Sequence, residues 1–386
     1  MTELTCGVPQ GSVLGPSLWN VLYDRVLRLP FPEGVEAVAY ADDLALVITA
    51  KTEEQLMLKG DAAIRLVERF MTEVGLELAP EKTEAVLMAG RRILDDITFN
   101  VGGHEIRPKE RVKYLGTWLD KNRTFLPHVM EATNKAIARG HALGRVMANV
   151  GGPRSSRRKC LAAVTTSTVL YAAPVWAGAL EKQCARKNLS KVDRVAALRV
   201  CAAYRTVSTD AAVVVAGIKP VALQALELEA RKAGQDKKAA REVLWRKWQQ
   251  QWASSANGQW TRRLIPELRS WVERKHGEVS HWLTQFMTGH GAFNFYLHRF
   301  RKRDSPNCPF CPGEVDTAAH CIFECQRFET ERAQCWLQVG EQTPDSIVAR
   351  MLEGPELWRT VARFIEDTVR RRANENPRGS VGGALV

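Results

Sequence analysis

A chain of 386 residues, 45% apolar and 8% aromatic, can fill the cores of two or three domains. No run of about 18 apolar residues offers a membrane span; the longest candidate, Thr168 to Leu180, is broken by Pro174 and reads as a buried helix. The formal charge of +12 is uneven: residues 1–120 hold 13 basic against 19 acidic residues, net −6, and the remainder 42 against 24, net +18. A basic excess of that size attracts polyanions, nucleic acid foremost, with a merely soluble basic surface as the alternative. Met1 to Gln10 has neither a basic segment nor an apolar stretch, so nothing directs the chain to a secretory route, and nucleus and cytoplasm are the expected compartments.

In chain order, Gly15-Pro16 is a start signal for a helix over Ser17 to Leu29, with Leu18, Val21, Leu22, Val26 and Leu29 at helical spacing. Val35 to Ile48 reads as two strands joined by a tight turn with Asp42 and Asp43 at the tip. Thr52-Glu53-Glu54-Gln55 has the form of a capping box, and Leu56, Gly60, Ala63, Val67, Phe70 and Val74 make one helix face ended by Gly75. Short strands are expected around Ala85–Met88, Ile97–Val101 and Val112–Leu119. Beyond about residue 125 the pattern is almost entirely helical, with breaks at Gly151-Gly152-Pro153, Gly217 to Pro220 and Asn257-Gly258. Trp245, Trp248 and Trp252 fall on one helix face beside Arg241, Arg246 and Lys247; the stripe reads as helix core, with base stacking the alternative. His290 reads as a structural histidine, and Arg371 to Val386 as a disordered end.

Two adjacent carboxylates on a hairpin tip between apolar strands are a platform for divalent cations. Mg²⁺ takes hard oxygen ligands, and two such ions clamp the attacking and leaving oxygens of a phosphoryl transfer. An Asp pair in an arbitrary turn reflects turn preference alone; here its surroundings change the reading. Tyr40-Ala41-Asp42-Asp43 resembles the aromatic-x-Asp-Asp box of reverse transcriptases, and Gly7-Val8-Pro9-Gln10-Gly11 through Asn20 resembles their Pro-Gln-Gly loop and the following helix. Gly11 permits close backbone approach, and Gln10 offers an amide for a base or sugar edge. Lys82 stands where the family has a lysine near the incoming triphosphate, and Tyr114-Leu115-Gly116 where it has the hairpin gripping the primer end.

Nine cysteines crowd toward the C-terminal third, and Cys308-x2-Cys311-x8-His320-x4-Cys325 has the ligand number and spacing of a closed tetrahedral Zn²⁺ site. Cys321 is a spare sulfur that leaves the choice of thiolates open by one position. Arg299, Arg301, Lys302, Arg303 and Phe310 give the knuckle the basic and aromatic flanks that single strands favour.

Over residues 6–335 the chain is similar to the polyproteins of non-LTR retrotransposons, nearest to type-1 elements that insert in ribosomal RNA genes. The resemblance implies an α+β chain: a partial reverse-transcriptase palm (antiparallel sheet with packed helices) over residues 1–124, a helical thumb and connector over 125–256, a nucleic-acid-binding, endonuclease-associated region with the zinc knuckle over 257–345, and a helix with a disordered tail over 346–386. It further implies RNA-directed DNA polymerisation with Mg²⁺ and Zn²⁺, on an RNA template, a DNA primer or target and deoxynucleoside triphosphates, with no membrane partner. One departure stands out. The family's third metal-binding aspartate precedes the Pro-Gln-Gly loop, and no Asp occurs among the nine residues before Gln10. The expectation is therefore a fragment of a longer polyprotein, with a catalytically incomplete nucleic-acid-binding remnant as the alternative.

Overall fold

Residues 11–88 and 97–375 are described by the computed structural model, and contacts divide the chain at Phe125 into a first unit of short strands and helices and a second that is helical. In the first, α1 (Gly15–Leu27) carries a proline in its first turn, where no amide N–H is needed. Its buried side is Tyr23 and Val26 with half-buried Trp19 and Leu22, while Leu18 and Val21 are exposed. The apolar face expected from spacing is thus rotated, because two aromatics four residues apart cover more area than the aliphatics beside them. Strands β1 (Val35–Tyr40) and β2 (Asp43–Ile48) pair antiparallel in a register running from Val35↔Ile48 to Tyr40↔Asp43.

Helix α2 (Glu53–Glu73) starts where the capping pattern predicts: the Thr52 hydroxyl accepts from Gln55 N at 3.2 Å, and Gly60, Ala63, Val67 and Phe70 are buried. Gly60 is there for contact, since a Cβ would stand 2.4 Å from Phe99 Cε1. The strands β3 (Ala85–Val86), β4 (Phe99–Val101), β5 (His104–Ile106), β6 (Pro108–Lys109), β7 (Arg111–Tyr114) and β8 (Thr117–Asp120) follow. They pair as β4–β5 and β7–β8 antiparallel and β3–β6 parallel. The described residues therefore form a mixed α/β unit of four two-stranded sheets. Breaks at Gly102-Gly103 and Pro108 keep β3 to β6 to two or three residues each, too short to present a ladder on both edges.

The second unit comprises α3 (Leu126–Gly144), α4 (Ser155–Leu170), α5 (Ala173–Trp176), α6 (Gln183–Val200), α7 (Thr209–Ala216), α8 (Val221–Lys232), α9 (Lys237–Ser254), α10 (Gln259–Leu264), α11 (Leu268–Val272), α12 (His281–Thr288), α13 (Asn294–Arg299), α14 (Glu329–Val339), α15 (Ile347–Leu352) and α16 (Pro355–Glu375). One apolar core runs from Ala162 to Val369. The run Thr168 to Leu180, read as buried helix broken by Pro174, is broken there: α4 ends at Leu170, Ala172 turns left-handed at φ 52°, and a separate short helix spans Ala173–Trp176. The reason is the missing N–H of Pro174 and its clash with the preceding turn. Among the described residues no single helix is long and apolar enough to cross a membrane.

Trp245, Trp248 and Trp252 are buried, so the stripe is helix core. Trp252 Nε1 donates to Ile265 O and Trp271 Nε1 to Val214 O, each at 2.8 Å. Buried Arg158 donates to four carbonyls, those of Pro153, Met147, Ala148 and Arg199. At the C-terminal end α16 continues through Arg371 to Glu375, where a disordered end was expected; Arg372 is 1% exposed and faces Asp316. That partner, 56 residues earlier, holds the last turn in place. Residues 376–386 of the expected tail lie outside the described residues.

Asp193 on α6 is buried and accepts from Val221 N at 2.9 Å, capping α8. Burial pushes its carboxyl up from 3.8 to about 7, against the lowering by that N–H. Between these values the folded chain holds a proton that the unfolded chain has lost, so its stabilisation is full below about pH 4 and is lost as pH rises to about 7. Asp193→Asn is expected to leave stability below about pH 4 unchanged and raise it above pH 7; equal melting temperatures of the two proteins at pH 8 would contradict this.

Candidate active site and metal cluster

The tip of the β1–β2 hairpin is the two-residue turn Ala41-Asp42; Asp43 is already the first residue of β2, opposite Tyr40. Ala41 sits at φ 53°, a conformation that a residue with a Cβ adopts at a cost and that clusters at functional sites. Helix α1 holds it there. Trp19 Nε1 donates to Ala41 O at 2.8 Å and the Tyr23 hydroxyl to Asp42 O at 3.0 Å, with the two rings stacked at 5.2 Å. Burial first, then the charges of Asp42 and Asp43, raise the Tyr23 phenol above its usual 10.0, which keeps it a donor. Both carboxylates are exposed.

Tyr40 is 67% exposed beside them. Gly11 lies at φ 87° with open space around the position of a Cβ, and Gln10 lies outside the described residues. Lys82 ends the 3-10 turn Pro80–Lys82 and is exposed. Tyr114 closes β7, and Leu115 and Gly116 form the next turn, both with positive φ, 45° and 81°, as a right-twisted hairpin demands. The Tyr114 hydroxyl is buried and unpartnered in hydrogen bonds; burial and then the charge of Asp43 raise it, so the Tyr114 hairpin lies within the field of the Asp42-Asp43 tip. Among the described residues no third carboxylate joins Asp42 and Asp43 in a metal-holding group. The pair offers hard oxygens for Mg²⁺ but not the full set that two ions need. Tyr23 was missed in the sequence, where its i,i+4 relation to Trp19 was the available signal.

In the second unit the ligand atoms of Cys308, Cys311, His320 and Cys325 all lie within 4.8 Å of one another, and all four residues are buried. The Cys308–Cys325 and Cys311–Cys325 sulfurs are 3.8 Å apart. A tetrahedron with metal–sulfur bonds of about 2.3 Å has edges of about 3.8 Å, so the spacing suits a shared cation and is far too long for a disulfide. Cys308 N donates to Glu314 O at 2.8 Å, Gln326 N donates to Cys311 Sγ at 3.4 Å, and Gly313 turns at φ 83°. His320 opens one turn of π-helix, and both its ring nitrogens are buried without a hydrogen-bond partner, an arrangement that a coordinated metal would relieve. Burial pushes the Cys325 thiol to about 12 and raises that of Cys308. Cys321 is buried and is not among the converging atoms. Exposed Glu314 and Glu324 also approach His320.

The loop is anchored from below. Asp316 pairs with Arg372 and accepts Asn294 N at 2.7 Å, and the guanidinium of Arg372 lies 5.5 Å from the Phe310 ring centroid. Arg299, Arg301, Lys302, Phe295 and Phe300 are exposed on the preceding segment. His290 shares a hydrogen bond with Thr206 Oγ1 at 3.1 Å, and burial, then Arg299, lower it to about 4, so it is a neutral structural residue.

Residues 2–119 match the family described as reverse transcriptase (RNA-dependent DNA polymerase). The chain carries a reverse transcriptase domain. It is 28% identical, over 96% of its length, to a 115 kDa protein in type-1 retrotransposable element R1DM of Drosophila melanogaster, of which it spans 38%. It is 26% identical, over 95% of its length, to the retrovirus-related Pol polyprotein from type-1 retrotransposable element R1 2 of Nasonia vitripennis, of which it spans 98%. A third relative, the RNA-directed DNA polymerase from mobile element jockey of Drosophila melanogaster, is 30% identical over 33% of the chain and 14% of that protein. No solved structure matches the chain.

Tyr23→Phe keeps the packing of α1 and removes one hydrogen bond, worth about 1 kcal/mol net. Opening of the hairpin tip is expected to become about fivefold more frequent, read as faster amide exchange over residues 40–44. Unchanged exchange there would show that the phenol does not hold the turn.

Proposed function

We propose that this chain supplies the catalytic hairpin of an RNA-directed DNA polymerase within a longer non-LTR retrotransposon polyprotein, together with a zinc-bearing unit that holds nucleic acid. The observation that carries the reading is the strained Ala41-Asp42 turn, fixed through two backbone carbonyls by Trp19 and Tyr23. A turn held by its backbone leaves both carboxylates free for cations. In this reading residues 1–124 are the C-terminal part of a palm, and the rest of the polyprotein completes it. The span of 38% of the R1DM protein supports that.

During synthesis the primer 3′-hydroxyl loses its proton to solvent as its oxygen bonds to the α-phosphorus of a deoxynucleoside triphosphate, the bond to the bridging oxygen breaks, and pyrophosphate leaves with its electron pair. Bound Mg²⁺ would lower the charge barrier to that attack. Asp42 and Asp43 would hold the cations, Lys82 would neutralise or protonate the pyrophosphate, Tyr40 with Gln10 and Gly11 would border template and nucleotide, and Tyr114, Leu115 and Gly116 would grip the primer. Zn²⁺ bound by Cys308, Cys311, His320 and Cys325 would organise a knuckle whose flank, Arg299, Arg301 and Lys302 with Phe295 and Phe300, holds RNA or target DNA for the endonuclease-associated step. These substrates set its work in the nucleus, after synthesis in the cytoplasm. A remnant that only binds nucleic acid is the second reading, favoured by the lack of a third carboxylate among the described residues.

In the full-length polyprotein, Asp42→Asn is expected to lower primer extension by about two orders of magnitude or more while leaving nucleic-acid binding nearly unchanged. Extension at the parent rate would remove Asp42 from the mechanism. The 386-residue chain alone should bind single strands with a steep salt dependence and not extend a primer; robust Mg²⁺-dependent extension by it would mean that its metal site is complete.

One Zn²⁺ per chain is expected by elemental analysis of chelator-free protein. Cys311→Ser should lose it and destabilise the segment around 304–335, because metal affinity and folding are coupled there. Purified protein without zinc, equally stable with and without a chelator, would exclude the site.

A further inference from the structure

His320 is the one member of the cysteine cluster that carries two donor atoms, and a single metal ion takes only one of them. The residue is 4% exposed, and neither ring nitrogen has a hydrogen-bond partner. A neutral imidazole has one N–H and one lone pair, so its burial leaves two groups to be satisfied. The three sulfurs converge within 4.8 Å of a ring nitrogen, and Glu324 Oε2 lies 3.5 Å from Nδ1.

The backbone explains why both kinds of neighbour reach the ring. His320 opens the π turn His320–Glu324, and Cys325 N donates to His320 O at 2.8 Å. Hydrogen bonds five residues apart widen the turn, so the side chains four and five positions on, Glu324 and Cys325, both come back over His320. In an α-helix the fourth would do so and the fifth would point away. The two groups of residues able to hold a cation, one with the three cysteines and one with Glu314 and Glu324, share only His320. Sulfurs and carboxylates therefore approach the imidazole from different sides. An ion pair with Glu324 alone would leave the second nitrogen buried against thiols, and a metal alone would leave the N–H unmatched; together they satisfy the whole ring. Glu314 is the weaker partner. Its backbone carries the knuckle turn, accepting from Cys308 N at 2.8 Å and donating to Cys311 O at 3.2 Å, and among the described residues Glu324 is the carboxylate at ion-pair distance from the ring.

We propose that Glu324 is the positioning residue of the zinc centre: its carboxylate takes the Nδ1–H of His320 and so presents Nε2 to the metal. The inference rests on the reading of Cys308, Cys311, His320 and Cys325 as a zinc site, and it adds a residue outside that ligand set. A carboxylate on the far nitrogen fixes the tautomer and the direction of the ring, and makes the ligating nitrogen a better donor. The separation of 3.5 Å is longer than a charge-assisted hydrogen bond. The Glu324 side chain is 64% exposed, which leaves it room to close that distance once the metal holds the ring.

The test uses the 386-residue chain and zinc ions, with competition against a chelator for affinity and nitrogen-15 labelled histidine for the tautomer. The imidazole whose signals respond to zinc is expected to ligate through Nε2 and to keep its proton on Nδ1. Glu324→Gln should lower zinc affinity about tenfold and move the Nδ1 proton resonance upfield, because a neutral acceptor replaces a charged one; Glu314→Gln should change neither. A residue serving only the packing of the loop would leave that resonance where it was. Ligation through Nδ1 in the unmodified chain overturns the proposal, and this readout decides the matter even if Glu324→Gln fails to fold. Parental zinc affinity in Glu324→Gln, or an equal loss in Glu314→Gln, also overturns it and leaves the zinc reading standing. An unmodified chain that binds no zinc would instead defeat the zinc reading, and this proposal with it.

Discussion

A carbonyl turned away from its own ladder must find a donor, and in this chain the donor is repeatedly an indole, a phenol or a guanidinium. At the hairpin tip, Trp19 and Tyr23 take the carbonyls of Ala41 and Asp42. In the helical unit, Arg158 gathers four carbonyls, Trp252 takes that of Ile265 and Trp271 that of Val214. Leaving a buried one of these, such as the carbonyl of Ile265 or Val214, unpaired would cost about 1–3 kcal/mol. The large donors also fill volume, so packing and hydrogen bonding are satisfied by the same side chain. Small aliphatic substitutes could do only the first, which is why these turns and helix ends depend on particular residues rather than on apolar character.

The cysteine-rich loop uses the same logic with sulfur as acceptor. The Gln326 N–H aims at Cys311, the three sulfurs and the imidazole converge, and the buried pair of Asp316 and Arg372 ties the loop to the last helix. A buried ion pair contributes little net stability when compared with a good apolar contact, but breaking it strands a charge. Its effect here is positional. Asp316 fixes the start of α13 through Asn294 N, so one carboxylate relates the loop, the helix before it and the helix that ends the described chain.

Much of this was legible in the sequence where a local rule was enough. The Thr52 cap, the α2 face, the Leu115-Gly116 turn and the ligand spacing of the cysteine cluster each follow from residues a few positions apart. What escaped depends on contacts distant in sequence. Arg372 reads as part of a polar tail until Asp316, 56 positions earlier, is placed beside it. Tyr23 reads as one more apolar residue until the tip carbonyl reaches it. The break at Ala172 is legible in Pro174, which interrupts the apolar run around it. The β3–β6 pairing, parallel and two residues long, has no periodicity to announce it, and Gln10 lies outside the described residues.

The charge asymmetry has a structural side that composition hides. Many arginines of the helical unit are satisfied without a carboxylate: Arg158 by carbonyls, Arg186 by Leu180 O, Arg194 by the carbonyls of Val207 and Arg205, Arg262 by those of Trp252 and Ser255, and Arg274 by Trp271. A carbonyl dipole or an aromatic face holds a guanidinium in place but cancels none of its charge. Had these five been fixed by aspartates and glutamates instead, the excess beyond residue 120 would be smaller by five. Fixed by dipoles, its cations are ordered and their field survives. Ordering matters as much as sign, because a charge already immobilised loses no side-chain entropy when a phosphate arrives. Five of the cations behind the excess of +18 beyond residue 120 are therefore preorganised charges, set by how the backbone is satisfied.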